Sequence, residues 1–176
     1  MLTKLALALL AGALVHVWAA EPAAEEYRVK GAFLLNFAKF VEWPPEAFQG
    51  PAEPIAICVL GANPFTPALA QAAGQVVVEK RSVAVRQIAD PHQASQCQIV
   101  FVSASERKRA RAVLEAVHGS SVLTVGESEG FIAGGGVIEF RVEESKVRME
   151  ISAATAKLAG LRISAKLLSL SQSAKR

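Results

Sequence analysis

The sequence predicts an α/β fold: a mixed β-sheet flanked by helices on both faces, with a C-terminal β-hairpin followed by helices. Three observations carry this. Short apolar runs without alternation recur at residues 55–60, 98–102 and 121–125, as expected of strands buried on both faces. Segments with helical spacing lie between them, at residues 65–73 and 105–117. Near the C-terminus, residues 137–142 and 146–151 read as two strands around a polar turn. Strands alternating with helices point to a largely parallel sheet, and right-handed crossovers place helices on both of its faces.

The chain has 176 residues, 52% hydrophobic and 20% charged, with a formal net charge of +3. Its mean hydropathy is +0.31. Such a chain buries enough apolar surface to offset its ordering entropy, which excludes disorder as the main state. Two cysteines are too few for a disulfide-dense scaffold. The small positive charge, without a binding module, excludes nucleic acid as the expected partner. Part of the hydropathy sits at the N-terminus. Lys4 precedes an apolar run over residues 5–17, followed by small Ala19 and Ala20 and then by Glu21-Pro22. This is the layout of a secretory signal peptide over residues 1–19. The apolar run is well short of the roughly 20 residues that span a bilayer. Residues 20–176 are then expected to form a single exported domain in an oxidising compartment.

The elements follow in order. Residues 25–41 read as a helix, because Val29, Phe33, Phe37 and Phe40 recur on one face. Tyr27, Leu34, Ala38 and Val41 widen that face, so the helix should be largely buried. Pro44-Pro45 stops it. Lys30 and Asn36 fall within or beside the apolar face. Each needs a carbonyl or carboxylate partner, or belongs to a ligand or partner site. Trp43, at the exit, caps the core or lines a groove. Residues 49–54 hold two prolines and a glycine and read as a linker. Gly61 to Pro64 turns the 55–60 strand into the 65–73 helix. Residues 76–78 and 83–88 form either a hairpin or one bent strand. Residues 105–117 are amphipathic, with Ala110, Val113, Leu114 and Val117 on one side. Residues 130–136 are a glycine-rich turn. In the hairpin, Val147, Met149 and Ile151 alternate with Arg148 and Glu150. The tail reads as helices over residues 153–159 and 164–174, broken at Gly160.

Catalytic chemistry does not assemble. Gly126-Glu127-Ser128-Glu129-Gly130 has the G-x-S-x-G form and follows a strand. The hydrolase arrangement needs a histidine after the serine, whereas His92 and His118 both precede it. Two flanking glutamates also oppose an oxyanion there. The glycines around Gly61 and at 134–136 lack a phosphate-binding pattern and read as turn geometry. Arg107, Lys108, Arg109 and Arg111 make a solvated helix face, with Arg111 placed to pair with Glu115. Glu25-Glu26 and Glu143-Glu144 read as a helix start and a hairpin turn. Cys58 and Cys97, an even pair in an exported chain, point to a disulfide, with two buried thiols as the alternative. Its loop of 39 positions corresponds to about 4 kcal/mol in the chain-entropy model. A metal site lacks further ligands at suitable spacing, and no cofactor is called for.

Five blocks carry a resemblance. The run from Tyr27 through Lys30, Asn36, Phe40 and Trp43 to Pro44 resembles the opening signature of the YfiR family of periplasmic proteins. Residues 57–61 with Pro64-Phe65, residues 97–103, and residues 122–125 with Phe131 and Gly134-Gly135 resemble its later blocks. Residues 159–168, which include Leu161, Ile163, Leu167 and Leu168, resemble its closing signature. The resemblance implies a regulator rather than an enzyme. Such proteins bind the periplasmic sensor region of an inner-membrane diguanylate cyclase and hold down cyclic di-GMP synthesis and biofilm formation. An outer-membrane-associated lipoprotein can sequester them. It also implies a Cys58–Cys97 disulfide. A second cysteine pair near the closing hairpin, present in some members, is missing here. Partner contact needs apolar anchors more than titratable groups. Candidates are Phe40, Trp43, Leu161, Ile163, Leu167 and Leu168, some of them shared with a homodimer surface. The alternative reading is a periplasmic small-molecule binding or sensor module built around Lys30, Asn36 and Trp43.

Overall fold

The computed structural model describes residues 20–172; the expected signal peptide, residues 1–19, lies outside the described residues. Helix α1 spans Ala20–Phe40. It begins five residues before the expected start, because three of the five added residues are alanine and Pro22 falls in the first turn, where it is tolerated. It also stops one residue early. β-Branched Val41 belongs instead to a two-residue strand, β1 (Val41–Glu42), ahead of the Pro44-Pro45 stop.

The remaining elements are β2 (Ile55–Leu60), α2 (Thr66–Ala73), β3 (Val77–Val78), β4 (Arg81–Ile88), β5 (Ile99–Val102), α3 (Ala110–Ala116), β6 (Leu123–Gly126), β7 (Ile138–Glu143), β8 (Lys146–Ile151), α4 (Ala153–Leu158), β9 (Arg162–Ile163) and α5 (Ala165–Gln172). Seven strands form one sheet in the order β3-β4-β2-β5-β6-β7-β8. The five central strands are parallel, and the two outermost pairs are antiparallel. This is the expected mixed sheet with its closing hairpin and terminal helices. Apart from it, β1 and β9 pair as a two-stranded ribbon, Val41 opposite Ile163 and Glu42 opposite Arg162. The sequence reading had no such ribbon, since two residues show no periodicity.

Residues 76–88 are a hairpin, not a bent strand. Glu79 and Lys80 hold φ of 49° and 71°, and Glu144 and Ser145 in the second hairpin hold 50° and 60°. Left-handed backbone at both central residues is what a two-residue turn matched to strand twist requires. The expected helix over residues 105–117 is instead a 3-10 turn at Ala104–Arg109 followed by the shorter α3. The helical path breaks at Glu106 (φ −104°, ψ 15°). The hydroxyl of neighbouring Ser105 accepts the Ala62 N–H at 2.9 Å, which ties this turn to the end of β2.

The sheet separates two apolar layers, and period-2 alternation assigns each strand residue to one of them. Ile55, Ile57 and Val59 join α1, α2 and α5 in the first layer. Ala56, Cys58 and Leu60 join α3 and the turn before β5 in the second. All six residues of β2 are therefore buried, as its unalternating sequence predicted. In the first layer a string of rings links Tyr27 to Phe65 (5.7 Å), Phe65 to Phe101 (4.9 Å), Phe101 to Phe140 (6.5 Å) and Phe140 to both Phe33 and Phe37 (5.9 Å each). The second layer holds the Cys58–Cys97 disulfide, which joins β2 to the start of β5. Its Phe131 fills a slot made by glycines. A Cβ at Gly126 or Gly136 would stand 2.4 or 2.3 Å from the Phe131 ring, so the glycine-rich turn exists to admit that ring.

Candidate functional site

In an open parallel sheet, ligands commonly bind beyond the C-terminal strand ends, where neighbouring strands send their crossovers in opposite directions. Here that point lies between β2 and β5, because β2 leads on to β4 on one side and β5 to β6 on the other. The chain fills the crevice itself. Gly61, at φ 92°, leaves β2 so close to the facing turn that a Cβ would stand 2.4 Å from Glu106 Cγ and 2.6 Å from Ser105 Oγ. The Glu106 carboxylate accepts from Arg109 at 3.0 Å, and Arg109 also donates to the Ala89 carbonyl at 2.8 Å. Gln87 donates to the Gly61 carbonyl at 2.5 Å. The polar groups there satisfy one another.

Beside this crevice, α1 crosses the end of β6. Lys30 points inward and is buried. Its ammonium donates to Glu127 Oε2 at 2.6 Å and to Glu26 one turn earlier. Glu127 Oε1 accepts from the Tyr27 hydroxyl at 3.2 Å and from the Ala104 N–H at 2.8 Å. The Lys30 and Glu127 side chains are only 4% and 3% exposed, so the pair is shielded from water and salt. The Lys30 ammonium also lies 4.6 Å from the Tyr27 ring centre. Burial, and then the adjacent Glu127 carboxylate, push the Tyr27 hydroxyl up to about 12, so it stays protonated and donating. Sequence reasoning required a partner for Lys30 but did not identify Glu127. The signal was there: Glu127 is the first residue after a buried strand, where its side chain reaches the covering helix.

The network gives Lys30 the carboxylate partner that its place on the apolar face requires. It also separates the three residues of the small-molecule reading. Glu127, which holds Lys30, follows β6, whereas the Trp43 indole donates to the carbonyl of Gln98, which precedes the parallel β5, at 3.2 Å. Lys30 and Trp43 therefore sit at opposite ends of the sheet. Asn36, half-buried, borders a shallow depression with Arg28, Ala32 and Phe33.

Around Trp43 the opening and closing signatures meet. The β1–β9 ribbon is extended by the Ser164 N–H bonding the Phe40 carbonyl, and Arg162 pairs with Glu42. Gln98 braces the same end, accepting from Ala56 N–H and donating to the Ala47 carbonyl, both at 2.8 Å. Leu161 and Leu167, offered by the sequence as partner anchors, are 4% and 0% exposed and belong to the core. The reason is the ribbon, which folds the closing segment back under α1. Ile163 and Leu168 are half-buried, as are Phe40 and Trp43, and these four retain accessible surface. The Lys166 ammonium lies 4.9 Å from the Phe40 ring centre.

Two further features were not foreseen. An apolar groove of about 510 Å³ runs between α1 and α2, walled by Tyr27, Leu35, Phe65 and Leu69 and widened by Gly31 and Ala68. On α4, Leu158 is 88% exposed. The candidate nucleophile Ser128 borders neither the α1–α2 groove nor a described histidine partner. Among the described residues, no helix is long and apolar enough to cross a membrane, and no group of three or more His, Cys, Asp or Glu side chains is placed to hold a metal.

No curated protein matches the sequence. The YfiR/HmsC-like family matches it over residues 27–172, from Tyr27 of the Glu127 network to the last residue of α5. That span takes in the whole sheet and both segments of the ribbon, and the chain therefore belongs to the YfiR/HmsC-like family, whose members are periplasmic regulators rather than catalysts.

Proposed function

We propose that the protein, exported as a single domain of residues 20–176 after loss of residues 1–19, binds the periplasmic sensor region of an inner-membrane diguanylate cyclase. Binding represses the cyclase, which lowers cyclic di-GMP and biofilm formation. An outer-membrane-associated lipoprotein is the partner that relieves repression, and the resting form is a homodimer. The family match over residues 27–172 carries this reading. The filled crevice between β2 and β5 supports it, because the usual ligand position of such a sheet is occupied by Ser105 and Glu106. Deleting the gene should raise cyclic di-GMP and surface attachment in cells that make the cognate cyclase. Unchanged cyclic di-GMP in such cells refutes the proposal.

The α1–α2 groove favours a second reading, in which a small apolar molecule tunes the regulator. Its volume of about 510 Å³ is that of a small-molecule site. A ligand that binds it should raise the melting temperature of the purified protein, and a filling substitution, Ala68→Phe, should abolish that rise.

A further inference from the structure

The seven-stranded sheet has two edges, and their sequences differ. The β8 edge carries Lys146, Arg148 and Glu150, charges of the kind that guard against pairing with another strand. The β3 edge carries none. Residues 61–78, from the end of β2 through α2 to β3, hold no Asp, Glu, Lys, Arg or His. At the chain's 20% charged fraction such a stretch would hold three or four charges. Yet much of it lies at the surface. Pro67, Ala70, Gln71 and Gln75 are exposed, and Val77 is 69% exposed. Depletion of charge is the mark of the buried centre of an interface, not of surface that meets water.

The backbone at this edge is set to pair. Glu79 and Lys80 form the two-residue turn, so Val78 and Arg81 beside it are the hydrogen-bonded pair that closes the hairpin. Val77 and Ser82, the next pair, are then a non-hydrogen-bonded one. The Val77 N–H and C=O therefore point away from β4, out of the sheet edge. Val76 and Val78 pack against the first apolar layer, so the Val77 side chain stands on the opposite face. Helix α2 packs on β4 beside this edge. Its Ala68 and Ala72 line the groove toward α1, which turns Pro67 and Ala70 the other way, toward β3.

We propose that the β3 edge and the adjoining flank of α2 pair with the same surface of a second copy, about a two-fold axis at Val77. Such an axis sets a patch against itself. An antiparallel pairing centred on Val77 lets the two copies exchange both hydrogen bonds, and places Val76 of each opposite Val78 of the other. Glu79 and Lys80 lie in the turn, outside the pairing, so no like charges are opposed. The uncharged flank offers nothing to a charged partner, whereas a second copy brings an equally uncharged one. The inference deepens the homodimer proposed above and rests on it.

The purified protein is followed by sedimentation equilibrium at micromolar concentration, and a dimer is expected. Val77→Lys and Val77→Glu should each weaken association by at least about tenfold, because each sets two like charges against one another at the axis. Mixing the two variants should restore a dimer with one copy of each, which also shows that both are folded. Val142→Lys, at a 51% exposed valine of β7, should leave association unchanged. A monomeric parent overturns this inference together with the homodimer, and leaves cyclase repression to the gene deletion. A dimer unaffected by Val77→Lys, or variants that stay monomeric when mixed, overturns this inference alone.

Discussion

The two faces of the sheet solve the same burial problem differently. On one, the 21-residue helix α1 lays Phe33, Leu34, Phe37 and Ala38 over the strands, and aromatic rings run in contact from Tyr27 to Phe140. On the other, the cover is the seven-residue α3 and 3-10 turns, the strand residues are mainly alanine, valine and cysteine, and Phe131 is the one large ring. A face with little side-chain volume and short covering elements gains less from burial. The disulfide lies on that face. Packing holds the aromatic face, and a covalent link between β2 and the start of β5 supports the thinner one.

The largest effect should come from breaking the aromatic face. Phe140→Ala removes the ring that touches Phe33, Phe37 and Phe101. It should cost about 4 kcal/mol in urea denaturation followed by Trp43 fluorescence. On the thinner face, replacing Cys58 and Cys97 together by alanine should cost about 2–4 kcal/mol. A loss as large as that of Phe140→Ala combined with a changed denaturant slope would mean that the face opens altogether. Next comes the join between α1 and the end of β6. Glu127→Gln keeps the shape but leaves Lys30 with Glu26 alone, and should cost about 2 kcal/mol. Amide exchange should quicken in residues 20–30 and stay slow in β2 and β5.

The smallest effect concerns acid. The Glu139 side chain is 1% exposed. Burial opposes its charge, but Arg141 and the backbone N–H groups of Ile132 and Gly130 outweigh it and hold the carboxyl below its ordinary 4.5. A depressed folded value means that the contribution is complete above pH 4.5 and disappears as pH falls through the folded value. Stability measured from pH 6 to pH 3 should therefore fall, and Glu139→Gln should flatten that fall. An unchanged slope would assign the acid sensitivity to other carboxylates.

Much of this contrast was legible in residue order. Unalternating apolar runs gave β2, β5 and β6 to within two residues, because a strand buried on both sides must be apolar throughout. The spacing of Phe33 and Phe37 gave the buried side of α1 for the same kind of reason. Contacts set by long-range geometry were not legible. Nothing near Glu127 in the chain marks it as the partner of Lys30, 97 residues away. The burial of Leu161 and Leu167 depends on a ribbon of two residues per strand, too short to leave a pattern.

The ribbon of β1 and β9 has a consequence for the order of events during synthesis. Glu42 and Arg162 are 120 residues apart, and nearly the whole chain must appear before they can meet. The first helix emerges early yet waits for the last segment to anchor its end, and so remains an exposed apolar surface in the meantime. Contacts of such separation form slowly. The protein is then most in need of protection from aggregation just before its last segment is made, and shortening it by its final fifteen residues, which removes β9, should leave the beginning of the chain unfinished as well as the end.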